Sequence, residues 1–162
     1  LDKFLTAISL FGHFQVSVPM VVITALVLLV FKKEKEALFI FFTMGSSIIS
    51  PGVKYFVNRP RPSKNLVRVI EVTHQQSFPS GHTLFYTVFF GFIIYLMFRL
   101  NEANFYLRLI VGLMCAFMVI FVFFSRIYLG AHWLSDVLAG YLLGRMWLYA
   151  VIYFYELKHY KS

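Results

Sequence analysis

Long apolar runs separated by short polar stretches set the pattern of this chain. The first run covers residues 16–31, and it reaches the roughly 20 residues needed to cross a bilayer only if its helix begins a turn earlier. Lys32-Lys33-Glu34-Lys35-Glu36 ends it as a solvated loop. A second run covers residues 37–57, with a kink expected at Pro51-Gly52. Three more follow at residues 82–99, 105–124 and 131–155, ahead of a polar tail. Residues 1–15 are mixed and read as an interfacial approach, with His13 an interfacial residue that carries no chemistry. Asn58-Arg59-Pro60-Arg61-Pro62 cannot continue a helix, because each proline opposes the helical conformation of the residue before it, and residues 63–78 read as a loop. The pattern predicts an all-α, polytopic transmembrane helical bundle with five visible spans, forming a single membrane-embedded domain over residues 1–162. With five crossings, the ends of spans two and four and the starts of spans three and five fall on one side.

Composition agrees with the pattern. Of 162 residues, 60% are hydrophobic and only 14% charged, more apolar surface than a soluble domain of this size can hide. The net charge of +8 would suggest nucleic acid in a soluble protein, but here the basic residues sit between spans, so membrane lipids and phosphate are the expected partners and nucleic acid is not. The single Cys115, inside an apolar run, cannot form an intrachain disulfide. Gly140 and Gly144 form a small-xxx-small pair suited to close helix packing.

Polar groups at the edges of these spans are expensive, which draws attention to three clusters on the shared side. In Ser125-Arg126-Ile127-Tyr128-Leu129-Gly130-Ala131-His132-Trp133-Leu134-Ser135-Asp136, a turn at Gly130 and a helix start near Ala131 would set His132 and Asp136 one turn apart on one face. A ring held by that carboxylate keeps one nitrogen free to attack an electrophile or carry a proton. The second cluster is Lys54, six residues, then Arg61-Pro62, and the third is Ser77-Phe78-Pro79-Ser80-Gly81-His82. Lys54, Arg61 and Arg126 supply permanent cations, while Ser80 and the Gly81 amide offer donors at a helix start, so phosphate is the ligand this set fits. Each cluster has an ordinary explanation alone: snorkelling cations, a serine N-cap, an interfacial histidine. Their conjunction on one membrane face is what argues for a site.

These motifs closely resemble the three signatures of the type 2 phosphatidic acid phosphatase superfamily: Lys54 with Arg61-Pro62, Pro79-Ser80-Gly81-His82, and Ser125-Arg126 with His132 and Asp136, in the expected order and spacing. The resemblance implies that His132 is a nucleophile forming a phosphohistidine, Asp136 orients it, and His82 protonates the leaving oxygen and then activates water. Lys54, Arg61, Ser80, Gly81 and Arg126 would hold the nonbridging oxygens. No metal and no cofactor is needed by such a scheme, and His13, His74 and His159 form no recognisable ligand pattern with the catalytic pair.

The membrane branch of that family usually has six spans, which implies a helix before Leu1. The implied substrate is a lipid phosphate or diphosphate: phosphatidylglycerophosphate, phosphatidic acid, undecaprenyl diphosphate or lipid A phosphate. The alternatives are a lipid phosphotransferase using the same phosphohistidine and a non-enzymatic lipid-binding bundle. Basic residues divide evenly between the two sides until those with a catalytic explanation are set aside, which favours a cytoplasmic tail. The expected location is a bacterial inner or plasma membrane, with the site facing the periplasm or cell exterior.

Overall fold

In the computed structural model, which describes residues 1–159 apart from 72 and 74 and only the backbone of 158 and 159, every regular element among the described residues is helical. The order is α1 (Asp2–Leu10), α2 (Phe14–Val30), α3 (Glu34–Phe42), a 3-10 turn (Thr43–Gly45), α4 (Ser46–Val57), α5 (Gly81–Arg99), α6 (Phe105–Tyr128) and α7 (Leu134–His159). Among the described residues, four helical stretches are long and apolar enough to cross a membrane, or five if α1 and α2, bent by 57° at their junction, act as one broken span. The chain is an integral membrane protein.

Helix α5 is the centre of the bundle. It is apolar on every face, as a helix surrounded by protein must be, and Leu84, Phe85, Tyr86, Val88, Phe89, Phe92 and Leu96 are all buried. Helices α6 and α7 pack against it, while much of the outer surface of α6, including Leu107, Ile110, Leu113 and Met114, stays exposed for lipid. Gly140 and Gly144 set the α5–α7 distance: a Cβ at 140 would lie 2.8 Å from the Ser80 carbonyl oxygen, and one at 144 would lie 2.7 Å from Thr87 Cβ. Cys115 is buried in the apolar core.

Three local expectations are corrected. Residues 2–10 are not a loose interfacial approach; they form α1, which packs on α6 with Leu5 and Ile8 buried, and the chain bends at Phe11-Gly12-His13 before α2. The irregularity in the second span falls at Thr43–Gly45 rather than at Pro51-Gly52. There the Thr43 hydroxyl donates to the Ile40 carbonyl at 2.5 Å and the Ser46 hydroxyl to the Thr43 carbonyl at 2.9 Å, and such side-chain bonds compete with the helical ladder. Finally, α6 continues to Tyr128 and α7 starts at Leu134 rather than near Ala131.

Candidate active site

The ends of α4 and α6 and the starts of α5 and α7 converge at one end of the bundle, joined by the loop of residues 58–80. Gly130, at φ +66°, makes the turn between α6 and α7, and no side chain fits there because a Cβ would meet the Arg68 carbonyl oxygen at 2.5 Å. The loop is thereby pinned over the junction, with the Ile70 N–H donating to the Leu129 carbonyl at 3.0 Å. The Ser80 N–H donates to the Asp136 carbonyl at 3.0 Å, which ties the start of α5 to the start of α7.

His132 and Asp136 meet without sharing a helix. His132 precedes α7, and Asp136, in the first turn, accepts the Trp133 N–H at 2.9 Å in the manner of a capping box. The cap fixes the carboxylate, leaving its Oδ2 3.6 Å from His132 Nδ1. Ser77 closes the gap: its hydroxyl donates to Asp136 Oδ2, and its oxygen lies 3.4 Å from His132 Nδ1. Arg59 holds the other carboxylate oxygen at 2.8 Å and also donates to the Ser135 hydroxyl. Asp136 is fully buried and His132 nearly so.

The tautomer of His132 follows from its neighbours. Arg61 Nη1 lies 3.3 Å from His132 Nε2 and can only donate, so Nε2 presents its lone pair. The ring proton therefore sits on Nδ1, facing Ser77 and Asp136. Burial pushes the His132 pKa down, the neighbouring Asp136 carboxylate opposes this, and the charges of Arg126, Arg61 and Lys54 lower it further, to about 4. The imidazole is neutral at pH 7. Burial, with the neighbouring Arg126 charge, also lowers Arg61 to about 10, still a cation near neutrality.

The expected phosphate ligands are placed with more partners than the sequence suggests. Arg61 also donates to the carbonyls of Ala131 at 2.6 Å and Gln75 at 2.7 Å, and Lys54 donates to the Gln76 carbonyl at 2.5 Å. The loop of residues 63–78 thus supplies backbone acceptors to the site. Ser80 is fully buried and acts as the N-cap of α5, accepting from the Thr83 N–H at 3.4 Å and the Thr83 hydroxyl at 2.9 Å. Gly81 and His82 occupy the first turn, where backbone N–H groups lack helical partners.

Arg126, almost fully buried, forms a two-pronged pair with Glu71 at 2.7 and 3.0 Å and also donates to the Ser9 hydroxyl. Burial raises the Glu71 pKa, but the Arg126 bonds and charge outweigh it and hold the carboxylate below its usual value. His82 stands beside this pair, its Nε2 buried without a hydrogen-bond partner among the described residues. His13, expected to be an interfacial residue, lies against His82. Its ring meets His82 edge to face with centroids 5.0 Å apart, and a ligand atom from each of His13, Glu71 and His82 lies within 4.8 Å of the others. His74 and the side chain of His159 lie outside the described residues. Sequence reasoning also left Arg59, Glu71 and Ser77 without a role. Ser77 opens the third cluster, but no spacing rule marks Glu71 as the partner of Arg126.

A polytopic helical bundle carrying a buried histidine–aspartate pair beneath a group of cations defines a class of membrane enzyme, and the chain belongs to the PAP2 superfamily, whose family model matches residues 36–160. Among curated relatives, phosphatidylglycerophosphatase B of Bacillus subtilis (strain 168) is 25% identical over 154 residues, covering 93% of this chain and 73% of the relative. Two crystal structures share the fold. The first transmembrane PAP2 type phosphatidylglycerolphosphate phosphatase from Bacillus subtilis aligns with a TM-score of 0.83 at 24% identity, over 96% of this chain and 76% of that one. LpxE of Aquifex aeolicus aligns with a TM-score of 0.72 at 25% identity, over 93% and 84%.

Proposed function

We propose that this protein hydrolyses a lipid phosphate or diphosphate at the membrane surface through a phosphohistidine on His132, without a metal ion. It is a hydrolase of the lipid phosphatase class, as its PAP2 membership and its relatives support. The observation that carries the mechanism is the orientation of His132: Nδ1–H faces Ser77 and Asp136, and the Nε2 lone pair faces the Arg61 guanidinium.

A phosphate drawn to Arg61 brings its phosphorus to that lone pair. Nε2 attacks, the bond from phosphorus to the lipid oxygen breaks, and protonated His82 gives its proton to the departing oxygen. The substrate's negative charge favours the protonated form of His82. His82, now neutral, takes a proton from water as the water oxygen bonds to phosphorus. The phosphorus–nitrogen bond then breaks, and inorganic phosphate leaves. Asp136, through Ser77, stabilises the positive charge the ring acquires. Lys54, Arg61, Arg126, Ser80 and the Gly81 amide form the assigned phosphate-holding group; on substrate entry Lys54 and Arg61 exchange carbonyl acceptors, and Arg126 the Glu71 carboxylate, for phosphate oxygens.

Phosphatidylglycerophosphate, phosphatidic acid, undecaprenyl diphosphate and lipid A phosphate form the candidate substrate set, and a site facing the periplasm or cell exterior is the proposed orientation. The test is phosphate release from each lipid by purified protein in detergent with a chelator present. Release that persists with chelator, disappears in His132→Ala and leaves an acid-labile radiolabelled phosphate on the wild-type chain is the expected result. Undiminished release by the variant would overturn the assignment of His132. Phosphate appearing on an added lipid alcohol would move the reading to phosphoryl transfer.

A further inference from the structure

Three side chains meet beside the nucleophile that nothing in the hydrolytic scheme requires to meet. His13 comes from the bend between α1 and α2, Glu71 from the loop over the α6–α7 junction, and His82 from the first turn of α5. Their potential ligand atoms lie within 4.8 Å of one another. His82 Nε2 is buried with no hydrogen-bond partner among the described residues, so a donor atom is already stripped of water. Gly12 makes the approach possible: a Cβ there would sit 2.2 Å from His82 Cδ2, so only glycine lets the ring lie against this bend.

From this juxtaposition we propose that His13, Glu71 and His82 form an inhibitory site for a divalent transition metal ion of the zinc type. Two imidazole nitrogens and one carboxylate oxygen are a donor set that suits zinc, leaving a fourth position for water or a phosphate oxygen. Metal–nitrogen and metal–oxygen bonds of about 2.0–2.2 Å require the three groups to draw together from their present spacing. Among the described residues Glu71 Oε1 accepts a single bond, from Arg126, and keeps a lone pair for the metal.

Arg126 beside Glu71 opposes any cation, so the site suits a reversible inhibitor rather than a permanent structural ion. Occupation takes from His82 the nitrogen lone pair that proton transfer needs. Magnesium, which favours an all-oxygen octahedral shell, is not expected to bind.

The binding test uses the purified full chain in detergent, chelator removed, titrated calorimetrically with zinc chloride alone and, separately, with cobalt(II) to reveal the visible bands of a tetrahedral nitrogen–oxygen site. The expected result is one metal per chain in the wild type, lost in His13→Ala, with magnesium silent. A second variant, His13→Asn, preserves a polar side chain at the α2 start and is expected to lose the same site. Unaltered zinc binding in a folded variant, or no stoichiometric binding in the wild type, would overturn the proposal.

Inhibition rests on the hydrolytic reading and is measured separately, as phosphate release against buffered free zinc. The wild type loses activity as the site fills, and the His13 variants need at least about tenfold more zinc for the same loss. Equal zinc sensitivity in wild type and variants would remove the inhibitory role. Because binding is read without substrate, absence of lipid turnover bears on the function while leaving the metal site independently tested.

Discussion

His132 shows how a buried imidazole is tuned by what surrounds it. Its carboxylate partner is reached mainly through the Ser77 hydroxyl, and this ranks two substitutions. Asp136→Asn removes the charge that stabilises the ring as it becomes positive and is expected to lower kcat by roughly 10³–10⁴-fold, as for an orienting aspartate in a hydrolase triad. Ser77→Ala lets the ring and carboxylate approach directly, and a loss of about tenfold, one hydrogen bond's worth, is expected. Steady-state phosphate release with KM and kcat separated checks both.

The depressed pKa of His132 also has a sign for stability. The folded value of about 4 lies below the unfolded value near 6.5, so the unfolded chain binds the proton more readily. This contribution to stability is present above about pH 6.5 and is lost as pH falls through about 4. Thermal unfolding in detergent from pH 7 to 4 is expected to show a falling Tm, with a smaller fall in His132→Gln. Equal slopes would show that other groups set the acid response.

At the scale of elements, the site depends on how closely α7 approaches α5. Gly140 lies against the Ser80 carbonyl, near the same α5 start whose Ser80 N–H is tied to Asp136. Gly140→Val pushes the helices apart against backbone that cannot yield cheaply, and an overpacking cost of about 1–3 kcal/mol is expected, together with loss of activity. A lowered Tm accompanied by reduced kcat in the still-folded protein checks this. A lowered Tm with full activity would mean that the Ser80–Asp136 link does not position the site.

At the scale of the whole molecule, Arg126 ties α6 to α1 through Ser9 and to the loop through Glu71. Glu71→Ala leaves a buried guanidinium without its anion, and a destabilisation of about 3–5 kcal/mol is expected. Pairing it with Arg126→Met, which removes the charge, is expected to recover part of that loss in a double-mutant comparison of thermal unfolding. Strict additivity would show that the two side chains are not energetically coupled.

The sequence by itself determined the membrane class, the positions of α5, α6 and α7 to within a few residues, and the shared side of the three motifs. Apolar run length and proline chemistry are local properties that tertiary context does not override in a bilayer. The close helix packing at Gly140 and Gly144 was legible for the same reason: only small residues let helix backbones approach. The 57° bend after α1, the start of α7 beyond His132, and the partners Ser77, Arg59 and Glu71 were decided by the tertiary structure. A hydroxyl or carboxylate in a loop carries no periodicity, and its partner is fixed only when distant segments fold onto one another. His13 is the clearest case, an ordinary interfacial histidine along the chain that the bend at Gly12 delivers to His82.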